Sequence, residues 1–205
     1  MNFIKKIAVF ILIIGLISCK VTKPQTKETS YVKMYNDEPI TIHFFAPQYI
    51  GSVEQFYGKY TKKEYFTIKK LIEENLQTTI PDRKTIIINF SQKAPNCFEY
   101  GQTPSDVREM AKNSIKISNE ISETYNAIDF FVFTEDFFFK NIYKTIEKYK
   151  LDTGFFHKNI FTRHQNCGAF IAIKPNGHFY KYYGEDYYSQ MDAFLSNSIK
   201  FTDLK

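Results

Sequence analysis

The stretch 85-TIIINFSQKAPNC-97 decides the fold. Its first six residues are mostly β-branched, and apolar side chains fall on both faces of the pleat, which is typical of a strand covered on both sides. A polar loop that contains Pro95 and ends in Cys97 follows at once. We therefore expect a central strand of an α/β domain, with the loop at the sheet edge where such domains carry out their chemistry.

Capping signals and hydrophobic periodicity place helices on either side of this strand. Thr61 and Glu64 form a capping box that opens a helix to Gln77. Thr103 and Pro104 open a longer helix to about residue 126. Apolar residues at helical spacing predict two further helices, over residues 138–149 and 188–199.

Short β-rich runs predict the remaining strands, which are residues 39–45, 127–133, 168–173 and 178–183, with a short one at 159–163 in an otherwise irregular segment. Residues 174–177 (KPNG) predict a tight turn in which Asn176 and Gly177 supply the positive φ angles. A strand, a helix and a strand in succession form a crossover unit with parallel strands. The hairpin adds antiparallel strands, so the sheet is expected to be mixed.

The N-terminus has the pattern of a secretory signal peptide. Lys5 and Lys6 precede an apolar run over residues 7–17, which is shorter than the roughly 20 residues that span a bilayer. The end of the run, 16-LISC-19, resembles a bacterial lipobox, and this implies that Cys19 is lipidated and begins the mature chain. The alternative is an ordinary signal peptide that contains a cysteine.

These features predict a signal peptide over residues 1–18, a flexible tether over 19–35 and a domain over 36–205. Cys19 would anchor the chain to membrane lipid in the cell envelope, facing the periplasm or the exterior. The formal net charge of +5 falls to about +3 when Lys5 and Lys6 leave with the signal, which is too mild to indicate a nucleic-acid partner. Two thiols then remain, Cys97 and Cys167, and an even pair in an exported protein suggests a disulfide.

The order of elements from residue 84 to about 201 resembles the thioredoxin fold. The hairpin 170-FIAIKPNGHF-179 is similar to the family's strand, turn and strand, and Gly184 and Glu185 match the glycine that ends the last strand. Asn89 and Phe90 match the end of the first core strand. The resemblance implies an α/β class, with a thioredoxin-like mixed sheet flanked by helices over 84–201 and an N-terminal α/β extension over 36–83. The chain is also similar in length to extracytoplasmic thioredoxin-like lipoproteins.

The chain departs from this family where the family does its chemistry. Thioredoxin-like oxidoreductases carry Cys-x-x-Cys after the first core strand, whereas this loop reads Ala94-Pro95-Asn96-Cys97. Ala94 therefore stands in place of the attacking cysteine. The place of the family's cis-proline falls at about Gly168, directly after Cys167. Dithiol exchange within one loop is not available, and Cys97 precedes the helix N-terminus by several residues, which argues against an activated thiolate.

The same resemblance implies that the loop after the first core strand and the turn before the third lie side by side. Cys97 and Cys167 would then form a bridge, either structural or reducible. A zinc site built from these two cysteines with His157 and His164 is the alternative, although its spacing matches no common zinc pattern. We expect no metal and no cofactor. Tyr182, Tyr183, Tyr187 and Tyr188 are interpreted as packing residues rather than as a binding platform.

These observations predict an anchored binding or structural module that has lost dithiol catalysis and meets a protein partner in the cell envelope. A variant thiol-disulfide oxidoreductase that uses Cys97 and Cys167 is the first alternative. An unrelated ligand-binding lipoprotein is the second, because likeness of fold alone does not assign function.

Overall fold

The computed structural model describes residues 30–35, 38–43, 52–97, 101–185 and 187–198. The predicted signal peptide, Cys19 and the tether as far as residue 29 lie outside these ranges. Residues 30–35, which the sequence places in the tether, form a strand that pairs antiparallel with residues 38–43. Within the described ranges, the helices are too short or too polar to cross a membrane.

The described chain contains eight strands and four α-helices. In chain order they are β1 (Ser30–Tyr35), β2 (Glu38–His43), β3 (Glu54–Lys59), α1 (Lys62–Leu76), β4 (Thr85–Ser91), α2 (Pro104–Thr124), β5 (Ala127–Phe133), α3 (Lys140–Tyr143), β6 (Tyr149–Leu151), β7 (Gly168–Ile173), β8 (His178–Tyr183) and α4 (Tyr188–Leu195).

Six of these strands form one mixed sheet in the order β3-β8-β7-β4-β5-β6. β4 runs parallel to β5, and β5 runs parallel to β6. β7 is antiparallel to both β4 and β8, and β3 is antiparallel to β8. The predicted α/β class and mixed sheet are therefore confirmed, with β4 inside the sheet as expected.

β4 is covered on both faces, as its sequence predicts. Ile86 and Ile88 face one cluster with α1 and with the segment around Phe156, whereas Ile87 faces another cluster with α4. α2 packs on the same side as α4, through Val107 and Ala111. The sheet is thus the middle of three layers, because alternate residues of a strand point to opposite faces.

The two capping boxes begin their helices where the sequence predicts. Thr61 accepts a hydrogen bond from the Glu64 N–H at the start of α1, and Thr103 does the same for Asp106 at the start of α2. The carboxylates of Glu64 and Asp106 accept from the N–H of the capping threonine in return. Each box satisfies N–H groups that have no partner within the helix.

The prediction of a helix over residues 138–149 is wrong for most of its length. α3 spans only four residues, Lys140–Tyr143, and Tyr149 begins β6 instead. Tyr149 pairs with Phe131 of β5, its ring lying 5.0 Å from that of Phe131 and 4.1 Å from that of Tyr143. Aromatic packing at the sheet edge therefore overrides local helix propensity here.

The short strand predicted at residues 159–163 is also absent from the described structure, which has a π-helix at Phe156–Ile160. The Asp152 carboxylate sets this turn, because it accepts hydrogen bonds from the N–H groups of Gly154 (2.9 Å), Phe156 (3.1 Å) and His157 (2.8 Å). Such a local side-chain cap competes directly with an extended conformation.

Residues 52–83 of the N-terminal extension belong to the same sheet and core as the rest of the domain, whereas β2 pairs with β1 in a separate two-stranded sheet. β3, which the sequence analysis missed, pairs with β8 at the edge of the six-stranded sheet. Tyr65 and Ile72 of α1 join the cluster that covers β4. Residues 52–83 are therefore an integral part of the fold.

The β7–β8 turn differs from the predicted Asn-Gly turn. Gly177 has a positive φ of 88°, but Asn176 does not, and the Asn176 side chain instead accepts from the His178 N–H at 3.1 Å. The Lys174 N–H donates to the His178 carbonyl at 2.8 Å, so three residues lie inside the loop. This is a type I turn followed by a left-handed glycine, another common hairpin connection.

Gly177→Ala should destabilise the protein more than Gly154→Ala, its matched control. Both glycines have positive φ, 88° and 97°, so either alanine is strained by about 1–2 kcal/mol. A Cβ at Gly177 would lie 2.5 Å from the Tyr60 carbonyl oxygen, whereas one at Gly154 would meet only the end of Lys158, at 3.7 Å. Urea unfolding of both variants measures the difference. Equal losses would contradict the account of this turn.

Candidate functional site

The site forms where the end of β4 meets the start of β7. Ser91 lies opposite Gly168 in the register of these strands. Beyond that pair the two loops continue side by side. The Gln92 N–H donates to the Cys167 carbonyl (2.9 Å), the Cys167 N–H to the Asn96 carbonyl (2.9 Å) and the Asn96 N–H to that of Gln165 (3.0 Å). Backbone hydrogen bonds therefore bring Cys97 to Cys167.

The two cysteines lie at disulfide distance, as predicted. Their Cα atoms are 5.0 Å apart across a sequence separation of 70 residues, and disulfides span about 4.4–6.8 Å between Cα atoms. Cys97 is 0% exposed and Cys167 is 3% exposed. The bridge therefore lies inside the domain.

The loop residues singled out in the sequence surround this bridge. Ala94 is buried in the same cluster as both cysteines, and Pro95 is half-buried. Asn96 is buried and forms an isolated parallel bridge with Asn166. Gly168 begins β7 directly after Cys167. The structure thus brings all of these residues together, whereas Cys19 lies outside the described ranges.

Gln92, which the sequence analysis missed, holds the two loops together through its side chain. Its amide nitrogen donates to the carbonyls of Arg163 (2.7 Å) and Asn166 (3.0 Å). Its amide oxygen accepts from Nδ1 of His164 at 2.9 Å, which assigns the proton to that nitrogen. Gln92 is fully buried, so each of these bonds replaces a contact with water. A glutamine in a polar loop gives no sequence signal for such a role.

A second buried network joins β4 to the two helices on one face. The Asn89 amide donates to the Ser118 hydroxyl of α2 at 3.1 Å and accepts from the Tyr187 hydroxyl at 3.0 Å. The backbone carbonyl of Phe130 accepts from the same amide at 3.3 Å. This network holds Asn89 in place at the site, because its side chain is hydrogen-bonded to α2, to β5 and to the residue that precedes α4.

A cavity of about 100 Å³ opens between β4, α2 and the start of α4. Asn89 and Ser91 of β4 line it, together with Cys167, Glu185 and Tyr187. It lies at the carboxyl ends of the parallel strands β4 and β5, the usual place for ligands in open α/β sheets.

Glu185 is the acidic residue of this cavity. Gly184 follows β8, and its N–H donates to the Gly168 carbonyl at 3.0 Å, so the hairpin continues to the level of the cysteines. A Cβ on Gly168 would lie 3.1 Å from Cγ of Glu185, so the glycine leaves room for that side chain. Carboxylate and sulfur atoms of Glu185, Cys97 and Cys167 all lie within 4.8 Å of one another.

The predicted alternative zinc set is wrong in its histidines. His157 and His164 stack on each other, with ring centroids 4.2 Å apart, and Nδ1 of His164 is engaged by Gln92. Among the described residues, the group that brings ligand atoms together is Cys97, Cys167 and Glu185. Partial burial lowers the pKa of the His164 imidazole, and the neighbouring His157 lowers it further. The sequence analysis missed Glu185, because only the observed register of the β7–β8 hairpin brings it to the level of Cys167.

The comparisons with known proteins place no relative beside this chain. No protein-family model matches it, no curated protein matches it, and no solved structure matches it. Its functional interpretation therefore depends on the geometry described above.

Reduction of the bridge should lower the free energy of unfolding by about 4 kcal/mol, because the closed loop of 70 residues restricts the unfolded chain. Urea unfolding with and without a phosphine reductant measures this loss. The Cys97→Ala/Cys167→Ala double variant is the control and should not respond to reductant. Mass mapping that finds both thiols free in the mature protein would contradict the bridge.

Proposed function

We propose that this protein is a membrane-anchored lipoprotein of the cell envelope whose thioredoxin-like domain acts as a binding or structural module without dithiol catalysis. The proposed anchor is lipid on Cys19, at the end of the sequence 16-LISC-19. The proposed partner is another protein of the envelope, which would meet the domain at the carboxyl ends of β4 and β5.

The sheet supports the thioredoxin-like part of this proposal. The resemblance requires the loop after the first core strand to lie beside the turn before the third. The pairing of β4 with β7 has that consequence, since it sets Ser91 opposite Gly168. The crossover from β4 to β5 through α2, followed by an antiparallel hairpin and a helix, is in agreement with the same fold.

The burial of the bridge is the main observation in favour of a domain without dithiol catalysis. Thiol-disulfide exchange requires a thiolate to approach one sulfur along the S–S axis. Cys97 is 0% exposed, and Ala94 occupies the position of the family's attacking cysteine. A buried bridge between two loops that backbone hydrogen bonds already hold together favours a structural role.

One observation favours the variant oxidoreductase as a second candidate. Cys167 lines the cavity, so a partner thiolate that entered it would meet the Cys167 sulfur. Attack there would break the S–S bond, form a mixed disulfide with Cys167 and release Cys97 as a thiolate. The leaving thiolate would then be buried, which opposes its formation.

A thiol-reductase assay separates the two candidates. We expect the full chain to leave the reduction of insulin by dithiothreitol at its uncatalysed rate, and Cys97→Ser to behave identically, while an active thioredoxin accelerates it. A rate above background that disappears in both Cys97→Ser and Cys167→Ser would overturn the proposed function. The second candidate would then be the correct one.

Lipid anchoring has its own test in a bacterial host supplied with labelled palmitate. The chain should take up label and partition into detergent, because several acyl chains bury many methylenes at about 0.8 kcal/mol each. Cys19→Ala should lose both properties, whereas Cys97→Ala should keep them. Label that remains in the Cys19→Ala variant would place the modification elsewhere.

A further inference from the structure

We propose that Cys97, Cys167 and Glu185 form a zinc site when the bridge between the two cysteines is reduced. Two thiolates and one carboxylate would bind a single Zn²⁺. The inference stands apart from the proposed function, because it depends on neither the lipid anchor nor a protein partner.

The distances within this group suit tetrahedral zinc. The ligand atoms of the three residues all lie within 4.8 Å of one another. Zinc bonds of about 2.3 Å to sulfur and about 2.0–2.2 Å to oxygen place tetrahedral ligands roughly 3.3–3.8 Å apart. The two sulfurs must separate from bonding distance to reach that spacing. Rotation of the cysteine side chains is sufficient, since their Cα atoms are 5.0 Å apart.

The scaffold around the group does not depend on the bridge. Backbone hydrogen bonds from Gln92, Asn96 and Cys167 tie the two loops together. The Gln92 side chain adds two more bonds across them, to the Arg163 and Asn166 carbonyls. The three ligands should therefore stay close in the reduced protein, so zinc would find a largely preformed site.

Gly168 positions the third ligand. A Cβ at this residue would lie 3.1 Å from Cγ of Glu185 and 3.3 Å from its Cα, so a side chain here would force Glu185 to shift by a few tenths of an ångström. The Gly184 N–H bond to the Gly168 carbonyl, at 3.0 Å, keeps the strand that leads to Glu185 in register. Gly168, which follows Cys167, and Gly184, which precedes Glu185, thus both keep these two ligands close together.

The charges of the reduced site favour a soft divalent cation. A small dithiol donor that enters the cavity and attacks the Cys167 sulfur supplies two electrons and two protons, cleaves the S–S bond to two thiols and is itself oxidised to a disulfide. Zn²⁺ then displaces both thiol protons and binds the two thiolates. Buried anions are costly unless paired, and both cysteines are buried, so the ion stabilises charges that the domain otherwise excludes. Thiolates select zinc over magnesium or calcium, which prefer oxygen ligands.

The fourth coordination position faces the cavity. That cavity has a volume of about 100 Å³ and is lined by Cys167 and Glu185 together with the polar side chains of Asn89 and Ser91. It is large enough for water, which needs polar partners of this kind. Three protein ligands and one exchangeable position describe an open zinc site rather than a closed structural one.

The test uses the full chain, reduced without oxygen by a phosphine that is then removed. Co²⁺ serves as the optical probe, and Zn²⁺ displaces it. We expect one equivalent of Co²⁺ to produce a thiolate-to-cobalt charge-transfer band, Zn²⁺ to abolish the band, and Mg²⁺ to have no effect. The oxidised protein should bind neither metal, because its sulfurs are bonded to each other.

Variants show whether these three residues are the ligands. Cys97→Ser and Cys167→Ser should each weaken metal binding and reduce the band, because only one thiolate remains. Glu185→Gln should weaken Zn²⁺ affinity at least about tenfold, the loss that even an outer-shell partner causes. Glu135→Gln is the matched control, because Glu135 is paired with Lys140 and Lys144 on the surface, and it should bind as the parent does. Circular dichroism checks that each variant is folded.

Two results would overturn the proposal. The first is a reduced, folded parent protein that gives no charge-transfer band with Co²⁺ and does not bind Zn²⁺. The second is a folded Glu185→Gln variant whose affinity equals that of the Glu135→Gln control. Gly168→Ala gives an independent check, since it leaves all three ligands in the chain and should still weaken binding.

Discussion

The antiparallel pairing of β7 with β4 is the constraint on which the rest of this structure depends. It places Ser91 opposite Gly168, and this register sets the relative position of the two loops that continue beyond the pair. The loop after β4 and the loop before β7 must leave the sheet side by side, so their cysteines meet although 70 residues separate them in sequence. A slip of one residue would turn every side chain of β7 to the opposite face and separate the cysteines.

Most of the elements that create this constraint can be read from the sequence. β4 and β5 are dense apolar runs, which predict buried strands. The Thr61–Glu64 capping box marks the start of α1, and Thr103 followed by Pro104 marks the start of α2. β6 and the π-helix could not be predicted, since they depend on contacts with distant or locally competing groups. Tyr149 is held by Phe131 of β5, and the turn before Phe156 is held by the Asp152 carboxylate.

The site was only partly predictable for a related reason. The cysteine pair carries a chemical signal, but Gln92 and Glu185 do not, because their roles arise from register rather than from residue type. A two-residue Asn-Gly turn would pair Pro175 with His178, whereas the observed loop pairs Ile173 with Phe179. Continued along the hairpin, this one-residue difference decides whether Glu185 or its neighbour reaches the level of Cys167.

Hydrogen exchange in the Cys97→Ala/Cys167→Ala variant tests the central claim. The claim is that strand pairing and the Gln92 side chain hold the two loops side by side, and that the disulfide is not needed to keep them there. Two backbone amides report on the loops. The Gln92 N–H donates to the carbonyl of residue 167, and the Asn96 N–H donates to the Gln165 carbonyl. The account predicts that both stay protected in the folded variant. Exchange of these two amides at unfolded-chain rates, with β4 and β5 still protected, would contradict it.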